Sequence, residues 1–332
     1  MHNVIVIGAT GAVGRELLAI LEAGDFPVAS LRACASERSI GRSIDFRGES
    51  IPLEMAEPTV FEGADFAFFC AGRTISQAMA PEAVARGCTV IDNSSAFRGE
   101  PGCPLVVPEV NPQALEGFSR AGIIANPNCS TIIALVAISP LRQLARINRI
   151  TACTYQAVSG AGQAAMVELE NQARAWAAGE PLPADVFGSE TLFNCFSHES
   201  PIGPDGMNEE ERKLQVETRR IWNDQDVRVS ATCVRIPVLR AHTEALHLEF
   251  DGPISPEDAR MVLSDASGVR LDDDPQPARA TGLDEVLVGR IRRDHGVADN
   301  RGLALLACGD QLRKGAALNA VQIVDTLVAT KA

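Results

Sequence analysis

No stretch of this sequence is apolar for long enough to cross a membrane: runs such as Ile123 to Ala125 and Thr131 to Ile138 are interrupted by Pro, Asn or Ser. The start of the chain has no basic region and no cleavage signal, since Met1-His2-Asn3 passes straight into the apolar Val4-Ile5-Val6-Ile7, and no secretory leader is expected. Positive charge is in deficit. A formal net charge of -13, with a pI near 4.9, argues against a broad basic surface for nucleic acid or anionic lipid. Any anionic ligand must then be held by a few placed arginines. Nine cysteines are scattered with no C-x-x-C pair, which argues against a disulfide framework or a zinc ribbon and for a reducing, cytoplasmic setting without a metal site. Low-complexity tracts, internal repeats and flexible linkers are also missing.

What is present is an ordinary folding composition, 46% hydrophobic and 22% charged over 332 residues, too long for one small core, so two domains, or one large domain with an insertion, are expected. Residues 3 to 125 alternate short β-branched runs with amphipathic helical stretches, the rhythm of a doubly wound parallel sheet in an α/β protein. Its expected strands are Val4 to Gly8, Asp65 to Cys70, Thr89 to Asp92 and Gly122 to Ala125. Beyond residue 146 the runs lengthen and alternate polar with apolar positions, as in Arg149 to Ala157, Arg228 to Pro237 and Ala245 to Phe250. That pattern predicts an antiparallel or mixed sheet with one face covered. The last stretch, Arg313 to Val328, returns to a helical period and is expected to dock on the first part. The boundaries read from this are 1–128 plus 313–332 for a nucleotide-binding domain and 129–312 for the second, with the cleft between them as the default site.

Gly8-Ala-Thr-Gly-Ala-Val-Gly14 follows the first strand directly and opens a helix over Arg15 to Ala23. Glycines there allow a tight turn and let backbone amides approach a pyrophosphate at the helix N-terminus. The second strand ends at Ala35-Ser36-Glu37-Arg38-Ser39-Ile40-Gly41. Ser36, Arg38 and Ser39 can all donate to a ribose phosphate, which points to NADP; the alternative is that Arg38 is a solvated loop residue paired with Glu37.

Asn126-Pro-Asn-Cys129-Ser-Thr-Ile-Ile begins just after a strand and continues as a helix to about Pro140. A cysteine at a helix N-terminus feels the positive end of the helix dipole, which favours the thiolate. Cys34, Cys70, Cys88, Cys153, Cys195, Cys233 and Cys308 lie in apolar strand-like or loop settings, where cysteine is usually inert, and Cys103 reads as a loop residue. Five histidines are available as a base. His2 is terminal, His295 lies in a charged loop, His247 reads as a surface-facing strand residue, and His198 occupies a Ser/Pro-rich loop. His242, in a break between two strands, is the preferred candidate.

Five segments occur in series: Gly-Ala-Thr-Gly-Ala-Val-Gly at 8–14, Asn-Pro-Asn-Cys-Ser-Thr at 126–131, Tyr-Gln-Ala-Val-Ser-Gly-Ala-Gly at 155–162, Arg-Ile-Pro-Val-Leu-Arg-Ala-His at 235–242 and Leu-Arg-Lys-Gly-Ala-Ala at 312–317. Together, and across nearly the whole chain, they resemble the aspartate-semialdehyde dehydrogenase family. The resemblance implies a Rossmann-type domain joined to an α+β catalytic and dimerisation domain with a mixed sheet, and assembly as a homodimer or homotetramer. It also implies an NADP-dependent oxidoreductase of amino-acid biosynthesis (lysine, diaminopimelate, threonine, methionine). In that reaction L-aspartyl 4-phosphate is reduced to L-aspartate 4-semialdehyde, and inorganic phosphate is released.

Carried over residue by residue, the resemblance makes Cys129 the nucleophile that forms a thioester, His242 the general acid/base and Gln156 the amide that orients the acyl group. It makes Arg235 the clamp for the substrate carboxylate, Glu210 the partner of its amino group, and Arg98 and Lys213 the phosphate-binding cations. Cofactor contacts would come from Gly8, Thr10, Gly11, Ala12, Val13, Ser36, Arg38, Ser39, Asn93, Ser159, Gly160 and Gln311. Read without the resemblance, Arg98 and Lys213 could be surface charges, and Glu209 or Glu211 could take the place of Glu210. Glu210 is chosen because it lies three residues before Lys213, so both can share a helical face. Two features depart from the commoner pattern: the loop Phe196 to Met207, and Gly309-Asp-Gln311 where Asp-Asn is usual. Other acyl-phosphate or acyl-thioester reductases of the same architecture, such as N-acetylglutamyl-phosphate or malonyl-CoA reductase, and a catalytically silent nucleotide-binding relative, are the competing readings.

Overall fold

The computed structural model describes residues 1–118 and 121–329. It divides into two compact units, residues 1–128 with 316–332 and residues 129–315. The end of the first unit, 330–332, lies outside the described residues. The return to the first unit comes at 316 rather than 313. Asp310 explains the offset: its carboxylate accepts from the amides of Leu312 and Arg313 at 3.1 and 3.3 Å, and its carbonyl from Gly315 N–H at 3.0 Å, tethering that stretch to the second unit.

The first unit runs β1 (His2–Ile7), α1 (Ala12–Ala23), β2 (Val28–Ala35), β3 (Ser43–Phe46), β4 (Glu49–Met55), β5 (Phe66–Phe69), α2 (Arg73–Ala85), β6 (Thr89–Asp92) and β7 (Ile123–Ala125). Strand order is β3-β4-β2-β1-β5-β6-β7, with every pair parallel except β3 with β4. This is a Rossmann-type sheet, and its central strands are buried on both faces, as parallel strands between helix layers must be: all four residues of β5, Phe-Ala-Phe-Phe, are buried. Helix α1 begins at Ala12, three residues earlier than the periodicity indicated, because Gly11 already takes the extended N-cap conformation.

The second unit contains α3 (Cys129–Ile138), β8 (Ile147–Gln156), α4 (Gln163–Ala178), β9 (Phe196–Ser197), α5 (Glu209–Trp222), β10 (Arg228–Arg235), β11 (His242–Phe250), α6 (Pro256–Ser264), β12 (Val269–Leu271), α7 (Pro277–Ala280), β13 (Val286–Arg293) and β14 (Gly302–Gly309). Its mixed sheet is ordered β12-β13-β14-β11-β8-β10-β9. β8 and β10 are parallel, while β11 is antiparallel to β8 and to β14. In β11 buried and half-buried positions alternate strictly, as expected of a sheet whose two faces differ in environment. Helix α3 covers one face and is buried all round from Ser130 to Ile138, which the apolar run Ile132 to Ile138 permits at no polar cost. A π-helical turn, Arg313–Ala317, precedes α8 (Leu318–Ala329). Helix α8 places Ala320, Ile323, Val324 and Leu327 in the core cluster of the first unit with Leu17 and Leu21 of α1, each buried branched side chain contributing about 1.5–3 kcal/mol.

Candidate active site

In the first unit β1 leads into Gly8 at φ +86°, where an added Cβ would stand 2.7 Å from the Cys70 carbonyl oxygen; at Gly14 it would stand 2.2 Å from the Gly8 carbonyl. Both positions therefore demand glycine, and they hold α1 close against the strand ends. No side chain caps α1 at Gly11, so the amides of Ala12 and Val13 at its start are presented as an anion cradle beside Thr10. The chain after β2 makes a 3₁₀ turn, Glu37–Ser39, closed by Ser39 N–H donating to the Ser36 carbonyl at 2.8 Å. Ser36, Glu37 and Arg38 are exposed and Ser39 half-buried. A groove of about 510 Å³ has Thr10, Arg15, Ser39 and Arg42 in its wall.

Arg98 is tied down within the same unit. Its Nε donates to the Asn126 carbonyl at 2.9 Å and its Nη2 to the Asn93 carbonyl at 2.8 Å. Asn126 in turn donates to Asn93 Oδ1 at 3.0 Å and accepts from Asn319 of α8 at 2.6 Å. The guanidinium is half-buried and placed by two backbone carbonyls, unlike a solvated surface charge.

The second unit gathers Cys129, Gln156, Ser159, Gly160, Glu210, Lys213, Arg235, His242 and Gln311. Parallel pairing sets Gln156, the last residue of β8, opposite Arg235, the last of β10. Antiparallel β11 starts at that same sheet end with His242. The chain enters β11 through Ala241, a buried non-glycine residue at φ 74°. This left-handed conformation costs about 1–2 kcal/mol, and it is held by Gln311, whose Oε1 accepts from Ala241 N–H at 2.9 Å while its Nε2 donates to Ser159 Oγ. Gln311 thus fixes the backbone immediately before His242.

Gln156 is fully buried and donates through Nε2 to Ser130 Oγ at 2.6 Å and to Glu210 Oε1 at 3.1 Å. Because a carboxylate only accepts, the amide orientation follows. Its Oε1 is buried with no partner among the described residues. Glu210 also accepts from Lys213 Nζ at 3.1 Å. The three adjacent glutamates are sorted by structure: Glu209 is exposed, Glu211 closes a capping box with Asn208 and accepts from Cys233 N–H at 3.1 Å, and Glu210 is 4% exposed.

Arg235, 1% exposed, donates through Nη1 to the Ala157 carbonyl at 2.6 Å and through Nε and Nη2 to Glu199 at 3.2 and 2.6 Å. His198 Nε2 lies 3.0 Å from Nη2 and must accept, since a guanidinium only donates. Ala157 also donates its N–H to His242 Nδ1 at 3.0 Å, which leaves the ring proton on Nε2. Burial and the nearby Arg235 charge bring the His242 pKa down to about 3, against a smaller upward pull from Glu210; the ring is neutral throughout the physiological range. A Cβ at Gly160 would come within 3.1 Å of Arg235 Nη1 and 3.3 Å of His242 Nε2, and one at Gly315 within 3.0 Å of Cys129 Cβ.

Cys129 is half-buried at the first position of α3, followed by Ser130, the acceptor of Gln156. Burial pushes the thiols of Cys34, Cys70, Cys88 and Cys308 up to about 12 and that of Cys233 higher still. Cys195 is exposed. His247 pairs with Asp294 at 2.8 Å on the sheet. Among the described residues no group of three or more metal-ligating side chains occurs, and no helix is long and apolar enough to cross a membrane.

Glu199, Ser130 and Glu244 were not singled out from the sequence. Ser130 could have been, by its place beside the cysteine; Glu199 and Glu244 carry no local signal. Glu244 is wholly inaccessible, two residues after His242 on the same face of β11. Burial drives its carboxyl well above the usual range, against a downward pull from the Ser130 hydroxyl, and Glu210 adds to the rise.

A nucleotide turn on a Rossmann-type sheet, with a half-buried cysteine opening a helix over a second, mixed sheet, defines a nicotinamide-dependent oxidoreductase. Comparisons with known proteins sharpen the class. A family model described as "Semialdehyde dehydrogenase, NAD binding domain" matches residues 3–118, and one described as "Semialdehyde dehydrogenase, dimerisation domain" matches residues 138–314. An aspartate-semialdehyde dehydrogenase of Synechocystis sp. is 48% identical over 98% of this chain and 97% of its own, and one of Aquifex aeolicus is 47% identical over 98% of both. The crystal structure of aspartate semialdehyde dehydrogenase II from Vibrio cholerae, complexed with ASA, superposes with a TM-score of 0.96 at 42% identity, covering 99% of this chain and 98% of that one. The chain belongs to the aspartate-semialdehyde dehydrogenase family.

Proposed function

We propose that this chain catalyses the NADP-dependent reduction of L-aspartyl 4-phosphate to L-aspartate 4-semialdehyde, with release of inorganic phosphate, in the cytoplasmic route to lysine, threonine and methionine, as a homodimer or homotetramer. The observation that carries the reading is the convergence of Cys129, Gln156, Glu210, Lys213, Arg235 and His242 in one unit at the ends of β8 and β10 and the starts of α3, α5 and β11. The Gly8 and Gly14 cradle, the uncapped start of α1, and the serines and arginines around Ser39 fit a dinucleotide with a ribose phosphate.

Cys129 acts as nucleophile. The amides at the start of α3 stabilise its thiolate, which attacks the acyl carbon as the bond to phosphate breaks, leaving a thioester. Arg98 and Lys213 hold the phosphate. Arg235 takes the substrate carboxylate, for which a fork of parallel donors is the matching shape. Glu210, buried and anionic beside Lys213, takes the ammonium group. Gln156 orients the acyl chain from its anchor on Ser130. NADPH, when bound, supplies the reducing equivalent that converts the thioester to the aldehyde. His242, with its proton on Nε2, donates a hydrogen bond to the oxygen of the tetrahedral adduct, which then expels the Cys129 thiolate; in this direction no proton need be gained or lost by the imidazole.

The rival substrate N-acetylglutamyl phosphate has a blocked amine and would leave Glu210 without a cation to recognise, and the malonyl group of malonyl-CoA carries no amine. The test is steady-state formation of NADPH from aspartate semialdehyde, phosphate and NADP by the pure protein. Absence of turnover, or preferential turnover of either rival substrate, overturns the proposal.

A further inference from the structure

We propose that Glu199 is a specificity-determining residue: its carboxylate occupies the donor edge of Arg235 that a substrate carboxylate needs, and substrate binds by displacing it. This rests on the proposed role of Arg235 as the carboxylate clamp. A guanidinium carries five N–H groups, and its Nε–Nη2 edge presents two of them in parallel to one carboxylate. In Arg235 that edge is filled by Glu199, with Oε2 3.2 Å from Nε and Oε1 2.6 Å from Nη2. The other Nη2 hydrogen faces His198 Nε2 at 3.0 Å, and Nη1 donates to the Ala157 carbonyl at 2.6 Å. Phe187 lies against the guanidinium plane, 5.4 Å from ring centroid to Cζ. One Nη1 hydrogen remains, too little for a two-point grip. While Glu199 is seated, no second carboxylate can be held in the same geometry.

The two partners differ in how freely they can leave. Arg235 ends β10, a strand paired on both sides, and is 1% exposed, whereas the Glu199 side chain is 32% exposed, in the segment between β9 and α5. Glu199 can turn into water; Arg235 cannot. Burial alone would raise the Glu199 pKa, but hydrogen bonds from Arg235 and its charge outweigh that and hold it below the usual range, so the competitor is anionic whenever a substrate carboxylate is. Such an internal competitor also keeps the buried cation from standing unpaired between turnovers. It sets a threshold that favours ligands able to replace Glu199 at Arg235 while offering an ammonium group to Glu210. Acyl phosphates without a carboxylate in that position gain nothing from Arg235.

The test is the isosteric variant Glu199→Gln, which retains shape but cannot match a carboxylate for Arg235. The probe is L-2-aminobutyrate, which has the amine and carboxylate of the semialdehyde with an unreactive methyl end, titrated calorimetrically into both proteins without turnover. Displacement predicts binding about fivefold tighter to the variant, the scale of a partly exposed ion pair, with the KM for aspartate semialdehyde falling in parallel and that for NADP unmoved. If Glu199 instead stays in place and orients Arg235, the variant binds aminobutyrate more weakly. Weaker or equal binding, or no heat with either protein, overturns the displacement. Failure of the underlying function appears separately, as wild-type protein that does not turn over aspartate semialdehyde.

Discussion

Gly160 offers a sharp test of whether Arg235 and His242 form one working site. It sits in the 3₁₀ turn Val158–Ala161, outside the left-handed region, so alanine adds no backbone strain there and reduces unfolded-state entropy, worth about 0.4–1 kcal/mol in favour of the fold. The added methyl would press on Arg235 Nη1 at 3.1 Å and His242 Nε2 at 3.3 Å, inside the ordinary contact distance of about 3.5–4.0 Å. Neither group has room to yield, because Ala157 pins both: its carbonyl holds Arg235 at 2.6 Å and its N–H holds His242 at 3.0 Å. Relief therefore requires a few tenths of an ångström of motion in the proposed carboxylate clamp, in the imidazole, or in both. Gly160→Ala should leave global stability within about 1 kcal/mol yet lower kcat/KM by about 10- to 100-fold, the scale of sub-ångström to ångström misplacement of catalytic groups. Urea unfolding followed by the fluorescence of buried Trp222 reports the first quantity and steady-state kinetics the second. A variant with parental kcat/KM would refute the placement of the site; one that loses both properties together would mean the turn is structural only.

Alkylation with iodoacetamide near neutral pH, mapped by mass spectrometry, should modify Cys129 and exposed Cys195 well before Cys34, Cys70, Cys88, Cys233 and Cys308, whose thiols are buried and shifted upward; activity should fall in step with Cys129 labelling, and loss that tracks any other cysteine contradicts the nucleophile assignment. Arg38→Ala should weaken NADP binding by about tenfold while leaving NAD binding near its parental value; equal losses for both remove Arg38 from a phosphate role. Burial holds the Glu244 carboxyl of the folded chain well above its ordinary value of about 4.5, so above that value the folded chain retains a proton that the unfolded chain gives up. Relative to Glu244→Gln, wild-type stability should therefore fall as pH rises above that value, by up to about 1.4 kcal/mol per pH unit until the folded-state pKa is reached. A pH-independent difference between the two proteins would show that the carboxyl is not buried as described.

Local pattern carries far in this chain where chemistry and backbone geometry are local. The strand-turn-helix at Gly8 to Gly14 is legible because only glycine survives with a Cβ position already taken by a backbone carbonyl. Cys129 is legible because a helix begins at that residue. Period-2 alternation marks β8, β10 and β11 as strands of a covered sheet, although their order and the parallel pairing of β8 with β10 are set by long-range contacts with no trace in a single segment. The short strands β3 and β4 and the C-terminal pair β13 and β14 escaped the periodicity, the latter because β14 is buried along almost its whole length and loses its alternation.

What the sequence by itself determined is the set of reactive groups and the turns that need glycine, since both depend on residue identity within a few positions. Only tertiary structure decided which partners the acidic side chains meet. Spacing to Lys213 picks Glu210 out of three consecutive glutamates, but its bond to Gln156, the exposure of Glu209 and the bond of Glu211 to Cys233 N–H come from the packing of the helix on the sheet. Glu199 and Arg235 are separated by 36 positions, and their pairing exists because the end of β10 and the segment after β9 meet at one edge of the sheet. The tautomer of His242 is likewise set by the Ala157 amide, 85 residues away. A hydrogen-bond partner depends on where the backbone is in space, and the chain must close its sheet before that is defined.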